Sequence, residues 1–481
     1  MLKIPETLSY DDVLLVPGYS EVLPGEADTG TRLAGPITLH IPILSAAMDT
    51  VTEEKLAIAL ALEGGAGVIH RNLAPVEQAR QVGAVKRFLN WIIDNPLTVG
   101  PHETISHVRE IIRANNISGL PVVENGRLVG IITGRDLRFC LDDSMEVTDA
   151  MTKDPVVASG SPTPESARKK FNLHRIEKLP VTDTEGRLTG LITVKDMEKK
   201  RMYPHAALDG RGRLIVGAAV SPRDYAVRIP LLLEHAVDFV VIDTAHGDTK
   251  SVLDAVEAIK KKFSLTVIGG NTATAAGTRR LIDAGSDAVK VGVGPGSICT
   301  TRIVAGIGAA QFSAVLECAE EAEKSGVPVV ADGGIKYSGD ITKALAAGAH
   351  TVMLGNMLAG LKEAPGNEII YEGRIFKSYR GMGSIGAIQN GSGDRYQMKK
   401  GEDPVPEGIE GKVPFKGELK AFIFQLVTGL KKGMSYCGCG DIETLRRYKK
   451  FVRITSAGLR ESHPHDISIT REAPNYSKHE R

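Results

Sequence analysis

A single thiol, Cys299, lies in the stretch Val293-Gly294-Pro295-Gly296-Ser297-Ile298-Cys299-Thr300-Thr301-Arg302, directly after the apolar run Ala288-Val-Lys-Val291. A thiolate is a strong nucleophile for covalent catalysis. Glycines let the backbone approach a ligand closely and let successive N–H groups converge on an anion. Together they can hold a phosphate while the sulfur attacks a group attached to it. On this stretch alone, a strand-to-helix turn carrying a half-buried cysteine is the competing reading.

The elements that must position the thiol decide between the two. Eight short apolar runs recur, each followed by a helix-like segment: Ile43–Met48, Ala66–His70, Leu214–Ala219, Phe239–Asp243, Leu265–Gly269, Ala288–Val291, Val327–Asp332 and His350–Gly355. Continuous rather than alternating apolar runs suit parallel strands buried on both faces. The pattern predicts an α/β fold, a closed (β/α)8 TIM barrel, with an open doubly wound sheet as the weaker alternative. Active sites of such barrels form at the C-terminal strand ends. Polar residues cluster there: Met48-Asp49, Asp243, Asn271, the cysteine loop, Asp332-Gly-Gly334 and Gly355-Asn356. A structural role could account for one or two of these, whereas a ring of them reads as a site.

The barrel is interrupted between its second and third strands, which divides the chain into 1–94, an insertion over 95–205, and 206–481. The insertion holds an internal repeat. Ser118-Gly-Leu-Pro-Val-Val123 echoes Glu177-Lys-Leu-Pro-Val-Thr182, and Gly126-Arg-Leu-Val-Gly-Ile-Ile-Thr133 echoes Gly186-Arg-Leu-Thr-Gly-Leu-Ile-Thr193. Two copies are expected to pair face to face, and a purely structural insertion remains open on these residues. A segment from about 364 to 417, rich in Gly, Pro and charge, reads as an irregular, mobile functional loop. The tail, 467–481, reads as polar and extended.

The chain's 481 residues exceed one ordinary core, 42% are hydrophobic and 24% charged, and the net charge is +1. This is the composition of a soluble globular protein without bulk attraction to nucleic acid or anionic membrane. No apolar run reaches membrane-span length and the N-terminus lacks a signal-peptide core, so a cytoplasmic location is expected. Five cysteines in such a chain argue against a disulfide framework; Cys318 reads as core, and Cys437-Gly-Cys439 as structural. Gly381-Met-Gly-Ser-Ile-Gly386 fits G-x-G-x-x-G but follows no buried strand and has no βαβ unit around it, as a dinucleotide fingerprint requires. His463-Pro-His465-Asp466 lacks a partner carboxylate at metal-binding spacing.

These features, taken together, resemble the inosine-5′-monophosphate (IMP) dehydrogenase family over essentially the whole chain. The resemblance rests on Tyr10-Asp-Asp-Val-Leu-Leu-Val-Pro17, Ser45-Ala-Ala-Met-Asp-Thr50, Gly294–Thr301, Asp332-Gly-Gly-Ile335, Tyr379-Arg-Gly-Met-Gly-Ser384 and Arg453–His465. It implies oxidation of IMP to XMP with NAD+ and water in guanine nucleotide synthesis, through a covalent thioimidate on Cys299. It carries Arg395 over as an unusual general base, with Tyr396 beside it and Thr301 also activating water. Residue type alone would point to Lys or His instead, since arginine stays protonated across the accessible pH range. By the same resemblance Met48, Ser297, Asp332, Gly334, Gly355, Asn356, Tyr379, Gly381, Met382, Gly383 and Glu407 surround the substrate. Asp243, Asn271, Gly292 and Gly294 lie toward the dinucleotide. Asn356 departs from the family's usual serine, which implies a retuned phosphate contact.

The resemblance further implies K+ held by carbonyls of Gly294, Gly296 and Cys299, together with Glu461, Ser462 and His463 of a neighbouring subunit's tail. A homotetramer follows. The inserted repeat resembles a pair of CBS motifs, a Bateman module binding ATP or GTP and controlling octamer formation. The nearest rival is GMP reductase, which uses NADPH; Asp394-Arg395-Tyr396 and Pro406-Glu-Gly408 favour the dehydrogenase. A catalytically dead nucleotide sensor is the rival from another class, and the intact Cys299 and flap weigh against it.

Overall fold

The computed structural model describes residues 4–94, 96–115, 117–160, 162–396, 405–471 and 473–476. It divides into two compact units, 1–88 with 205–481, and 89–204.

The larger unit is a closed barrel of eight parallel strands. In chain order they are β1 (Ile43–Ser45), β2 (Ala66–Ile69), β3 (Val216–Val220), β4 (Phe239–Ile242), β5 (Thr266–Thr272), β6 (Ala288–Val291), β7 (Val329–Asp332) and β8 (Thr351–Leu354). Each of the eight apolar runs overlaps one of them, with Val216–Val220 and Thr266–Thr272 extending past the ends of theirs, and β1 closes the ring against β8 with Leu44 paired to Met353. Continuous burial is why the runs do not alternate: β2, β3, β4 and β6 are buried at every position. Inside, Leu44, Val68, Val241, Ile268, Ala288 and Val330 form one cluster, and Leu33 and Leu39 of a hairpin (Thr31–Ala34 with Ile37–Leu39) join it. Gly217 is required there, because a Cβ would lie 2.3 Å from the Phe239 ring.

Side chains alternate along a strand. The interior positions Val241, Ala288 and Val330 are therefore followed, two residues on, by Asp243, Lys290 and Asp332. The apolar core gives way to an ionic layer at the C-terminal mouth.

The segment expected to be irregular, 364–417, carries an antiparallel sheet of Glu368–Tyr371, Arg374–Arg380 and Glu410–Pro414. Ile369-Ile370-Tyr371 and Ile375-Phe376 supply β-favouring side chains, and Glu372-Gly373 turns between them with both residues at positive φ. A short helix, Ile385–Gln389, and a 3-10 turn, Ser392–Tyr396, follow; 397–404 lie outside the described residues.

The smaller unit, 89–204, repeats one pattern twice. Strands Gly119–Glu124 and Arg127–Thr133 pair antiparallel, as do Lys178–Thr182 and Leu188–Thr193. Each pair packs a helix, Ile105–Asn115 or Pro164–His174, over its own apolar cluster. The halves join at their hairpin turns, where Leu128 N–H donates to Gly186 O at 3.1 Å and Leu188 N–H to Gly126 O at 3.4 Å. Its chain begins at Leu89 rather than at 95, because Trp91 and the strand Ile93–Asp94 belong to the second half.

Among the described residues, no helix is long and apolar enough to cross a membrane.

Candidate active site

Cys299 follows β6 and is half-buried, and all five cysteines are free. Burial pushes the Cys318 thiol up to about 12 and the Cys439 thiol up to about 11, and raises Cys437 too, so none of these is a ready nucleophile.

The Cys299 Sγ lies 3.2 Å from Thr301 Oγ1, and that hydroxyl donates to Glu407 Oε2 at 2.7 Å. A hydroxyl has one proton to donate. With it committed to a carboxylate, the Thr301 oxygen can only accept on the side of the sulfur. The result is a line from thiol to hydroxyl to carboxylate along which a proton can pass.

Backbone bonds stitch this line together. Thr300 N–H donates to Glu407 O at 2.9 Å, Ile409 N–H to Ile298 O at 3.1 Å, Glu407 N–H to Gly383 O at 3.0 Å and Gly381 N–H to Ile409 O at 3.0 Å. The cysteine loop, the Gly381–Gly383 turn and Glu407-Gly408 therefore move as one. The N–H groups of Met382 and Gly383 take no backbone partner among the described residues.

The ionic layer lies beside the thiol loop. Lys290, 1% exposed, donates to Asp332 Oδ2 at 2.7 Å, to Asp243 Oδ1 at 3.4 Å and to Asn271 Oδ1. Asn271 donates in turn to Asp332 Oδ2 at 2.9 Å and to Gly292 O at 2.8 Å. The Arg395 guanidinium pairs with Asp243 Oδ2, and its carbonyl accepts from Ala245 N–H at 3.3 Å. Two cations thus face two carboxylates in a layer where an unpaired charge would be costly. Both bonds to Asp332 fall on Oδ2, leaving Oδ1 for a ligand.

Gly292 is spent inside the protein. Its N–H donates to Thr272 O at 2.8 Å, its carbonyl accepts from Asn271, and a Cβ would lie 2.1 Å from the Asp332 carbonyl. Gly333, at φ +92°, packs its α-carbon face on Pro295, where a Cβ would come within 2.9 Å of the ring, and Gly334 follows at φ +79°. The Asp332-Gly-Gly turn therefore sits against the cysteine loop.

Across the mouth, Tyr379 O–H lies 3.9 Å from Met48 Sδ and hydrogen-bonds Ser297, and burial pushes its phenol up to about 12. Gly355 keeps this corner open: a Cβ there would meet Met48 Sδ at 3.2 Å and Tyr379 Oη at 3.3 Å. Asn356 begins a single helical turn, Asn356–Ala359.

Cys299, Thr301, Glu407, Asp332, Asn271, Asp243 and Arg395 are thus brought to one mouth. The side chains of Tyr396 and Asp394 lie outside the described residues. Glu461, Ser462 and His463 are elsewhere in the contact pattern: Ser462 caps its own helix at Gly458 O, and His463 packs on Tyr337 and Tyr476. Among the described residues no cluster of His, Cys, Asp and Glu could hold a metal ion. For the K+ that the resemblance implies, the carbonyls of Gly294 and Cys299 accept no backbone bond among the described residues, while that of Gly296 accepts one from Cys299 N–H at 3.1 Å. A carbonyl has two lone pairs, so each of the three oxygens keeps acceptor capacity of the kind a weakly hydrated cation uses.

Two residues are not marked by the sequence pattern. Lys290 lies within an apolar run, although a lysine in a fully buried strand is itself a signal of a partner. Arg380 pairs with Asp49 at 2.6 Å, and Asn72 donates to the same carboxylate at 3.0 Å, which fixes the loop after β1.

The IMP dehydrogenase / GMP reductase domain matches residues 7–465. Curated IMP dehydrogenases of Halalkalibacterium halodurans and Aquifex aeolicus are 55% and 56% identical, each over 98% of both chains. The solved structure of a GMP reductase variant from Trypanosoma brucei, with guanosine 5′-monophosphate, is 42% identical, with a TM-score of 0.88 over 97% of this chain and 99% of that one.

Proposed function

The chain belongs to the IMP dehydrogenase / GMP reductase family, and we propose that it oxidises IMP to XMP with NAD+ and water, in the supply of guanine nucleotides. The observation that carries this reading is the thiol–hydroxyl–carboxylate line of Cys299, Thr301 and Glu407, beside the layer of Asp332, Lys290 and Asp243.

In this reading the Cys299 sulfur bonds to C2 of the purine as its proton leaves toward Thr301 and Glu407. Hydride then passes from C2 to the nicotinamide, giving NADH and a thioimidate. Water attacks C2, the C–S bond breaks, and XMP and the thiol are released. Splitting the reaction this way replaces one difficult step by two easier ones.

Asp332 Oδ1 accepts from the IMP ribose hydroxyls, and Gly334, Gly355, Asn356 and the Met382 and Gly383 N–H groups face the phosphate and base. Met48 packs on the purine. Asp243 accepts from the nicotinamide riboside. Arg395 holds that same carboxylate here, so cofactor and flap compete for one group. The flap follows NADH into the vacated place and brings Arg395 and Tyr396 to the water.

K+ would sit on the carbonyls of Gly294, Gly296 and Cys299, completed by a neighbouring subunit's Glu461, Ser462 and His463 in a homotetramer. It would supply order to the loop. The repeated unit, 89–204, would act as a CBS pair binding ATP or GTP and setting tetramer-to-octamer association.

The second reading is GMP reductase, the activity named for the similar Trypanosoma brucei structure. Asp394-Arg395-Tyr396 serves hydrolysis, which a reductase does not perform. The test is nicotinamide absorbance with purified protein. NADH formed from IMP and NAD+ supports the proposal, and NADPH consumed with GMP in its absence overturns it.

A further inference from the structure

We propose that Lys290 is a positioning residue that ties the two ribose-binding carboxylates, Asp332 and Asp243, into one electrostatic unit and so couples the nucleotide and dinucleotide subsites. The inference rests on the reading of those carboxylates given above.

Lys290 points into the barrel from β6, two residues beyond Ala288 of the apolar core, and is 1% exposed. An ammonium group has three N–H donors. Here they meet three acceptors, Asp332 Oδ2 at 2.7 Å, Asp243 Oδ1 at 3.4 Å and Asn271 Oδ1. No donor remains for a substrate, so the lysine acts through its partners. Asp332 ends β7 and Asp243 follows β4, on opposite flanks of β5 and β6. One buried cation therefore spans the two sides of the mouth.

Its consequence for each carboxylate is orientation. On Asp332 the Lys290 and Asn271 bonds both take Oδ2, which turns Oδ1 outward. On Asp243 the lysine takes Oδ1, leaving Oδ2 as the oxygen that Arg395 and, in turn, the nicotinamide riboside can use. Without the ammonium, the two carboxylates share a buried layer in which, among the described residues, Arg395 and the Asn271 amide are left to answer them. Each would lose the bond that fixes its orientation. Both ligands would lose a fixed acceptor together.

The test is Lys290→Met, which keeps the chain length and removes the charge. Wild-type protein is assayed first with IMP and NAD+, so that an inactive wild type tells against the functional reading and not against the lysine. Given an active wild type, KM for IMP and KM for NAD+ are both expected to rise about tenfold or more, with a smaller change in kcat, because the loss is one of ground-state orientation. A merely structural lysine would lower the folded fraction, and hence the apparent kcat, at unchanged KM values. Calorimetric titration with IMP gives a second reading, since partial misfolding lowers stoichiometry and not affinity. If Lys290→Met does not accumulate, Lys290→Gln, which keeps an N–H donor without the charge, is read in the same way. Unchanged KM values, or a change in only one of them, overturn the proposal.

Discussion

Replacing Arg395 by alanine is expected to separate hydride transfer from hydrolysis and to tighten cofactor binding at the same time. The guanidinium pairs with Asp243, and the two side chains are only 15% and 6% exposed. A hydrogen bond between charged groups contributes about 1.5–3 kcal/mol, and about 1.4 kcal/mol is a tenfold population ratio. The flap-engaged form then outnumbers the free form by roughly tenfold to a hundredfold, and a ligand needing Asp243 binds more weakly by that factor. Arg395→Ala removes the competitor, so KM for NAD+ falls by about tenfold or more. Loss of the base meanwhile slows hydrolysis by roughly 10²–10⁴. Rapid-mixing absorbance reads both effects: a burst of NADH of about one per active site persists, followed by a slow steady state. If burst and steady state fall equally and KM for NAD+ does not move, Arg395 neither competes for Asp243 nor serves hydrolysis.

Three further outcomes are expected. Glu407→Gln turns a charge-assisted bond from Thr301 into a neutral one, a loss of about 1–1.5 kcal/mol, so the steady-state rate falls about tenfold; an unchanged rate would mean that the Thr301 hydroxyl needs no orientation. His350 is buried, its Nδ1 accepts from Val329 N–H at 3.2 Å, and burial with the nearby Arg446 and Arg32 cations pulls its pKa down to about 3. The unfolded chain then binds the extra proton, so stability is full above about pH 6.5 and is lost as pH falls toward 3, by about 2 kcal/mol at pH 5; His350→Gln is expected to flatten that slope in urea melts at pH 7 and 5, and an equal slope refutes the assignment. Exchanging K+ for Li+ in the assay is expected to lower turnover severalfold, because a carbonyl cage suits a weakly hydrated ion, and equal rates in both salts would remove the cation from the loop.

The barrel was legible because strands buried on both faces need no polar alternation, and its strand ends pointed to the candidate site through Asp243, Asn271 and Asp332. Lys290 was hidden by the same rule. In a run buried on both faces the interior and exterior positions look alike, so a charged residue passes as an exception instead of the cation of an ionic layer. The sheet within 364–417 was hidden by composition, since Gly, Pro and charge surround a short hairpin whose apolar side chains are largely exposed. Glu407 was recognisable by resemblance. Its bond to Thr301 joins groups 106 positions apart, a pairing that neither periodicity nor local spacing reveals.

The proposed reaction requires that Cys299 become bonded to the purine during turnover. Acid quenching of the protein turning over IMP and NAD+, followed by peptide mass analysis, tests it most directly. The peptide holding Cys299 is predicted to gain the mass of IMP less the hydride and proton given up, more abundantly in Arg395→Ala and never in Cys299→Ser, which should not turn over. Turnover in Cys299→Ser, or a wild-type steady state with no adduct in either active protein, would contradict the account.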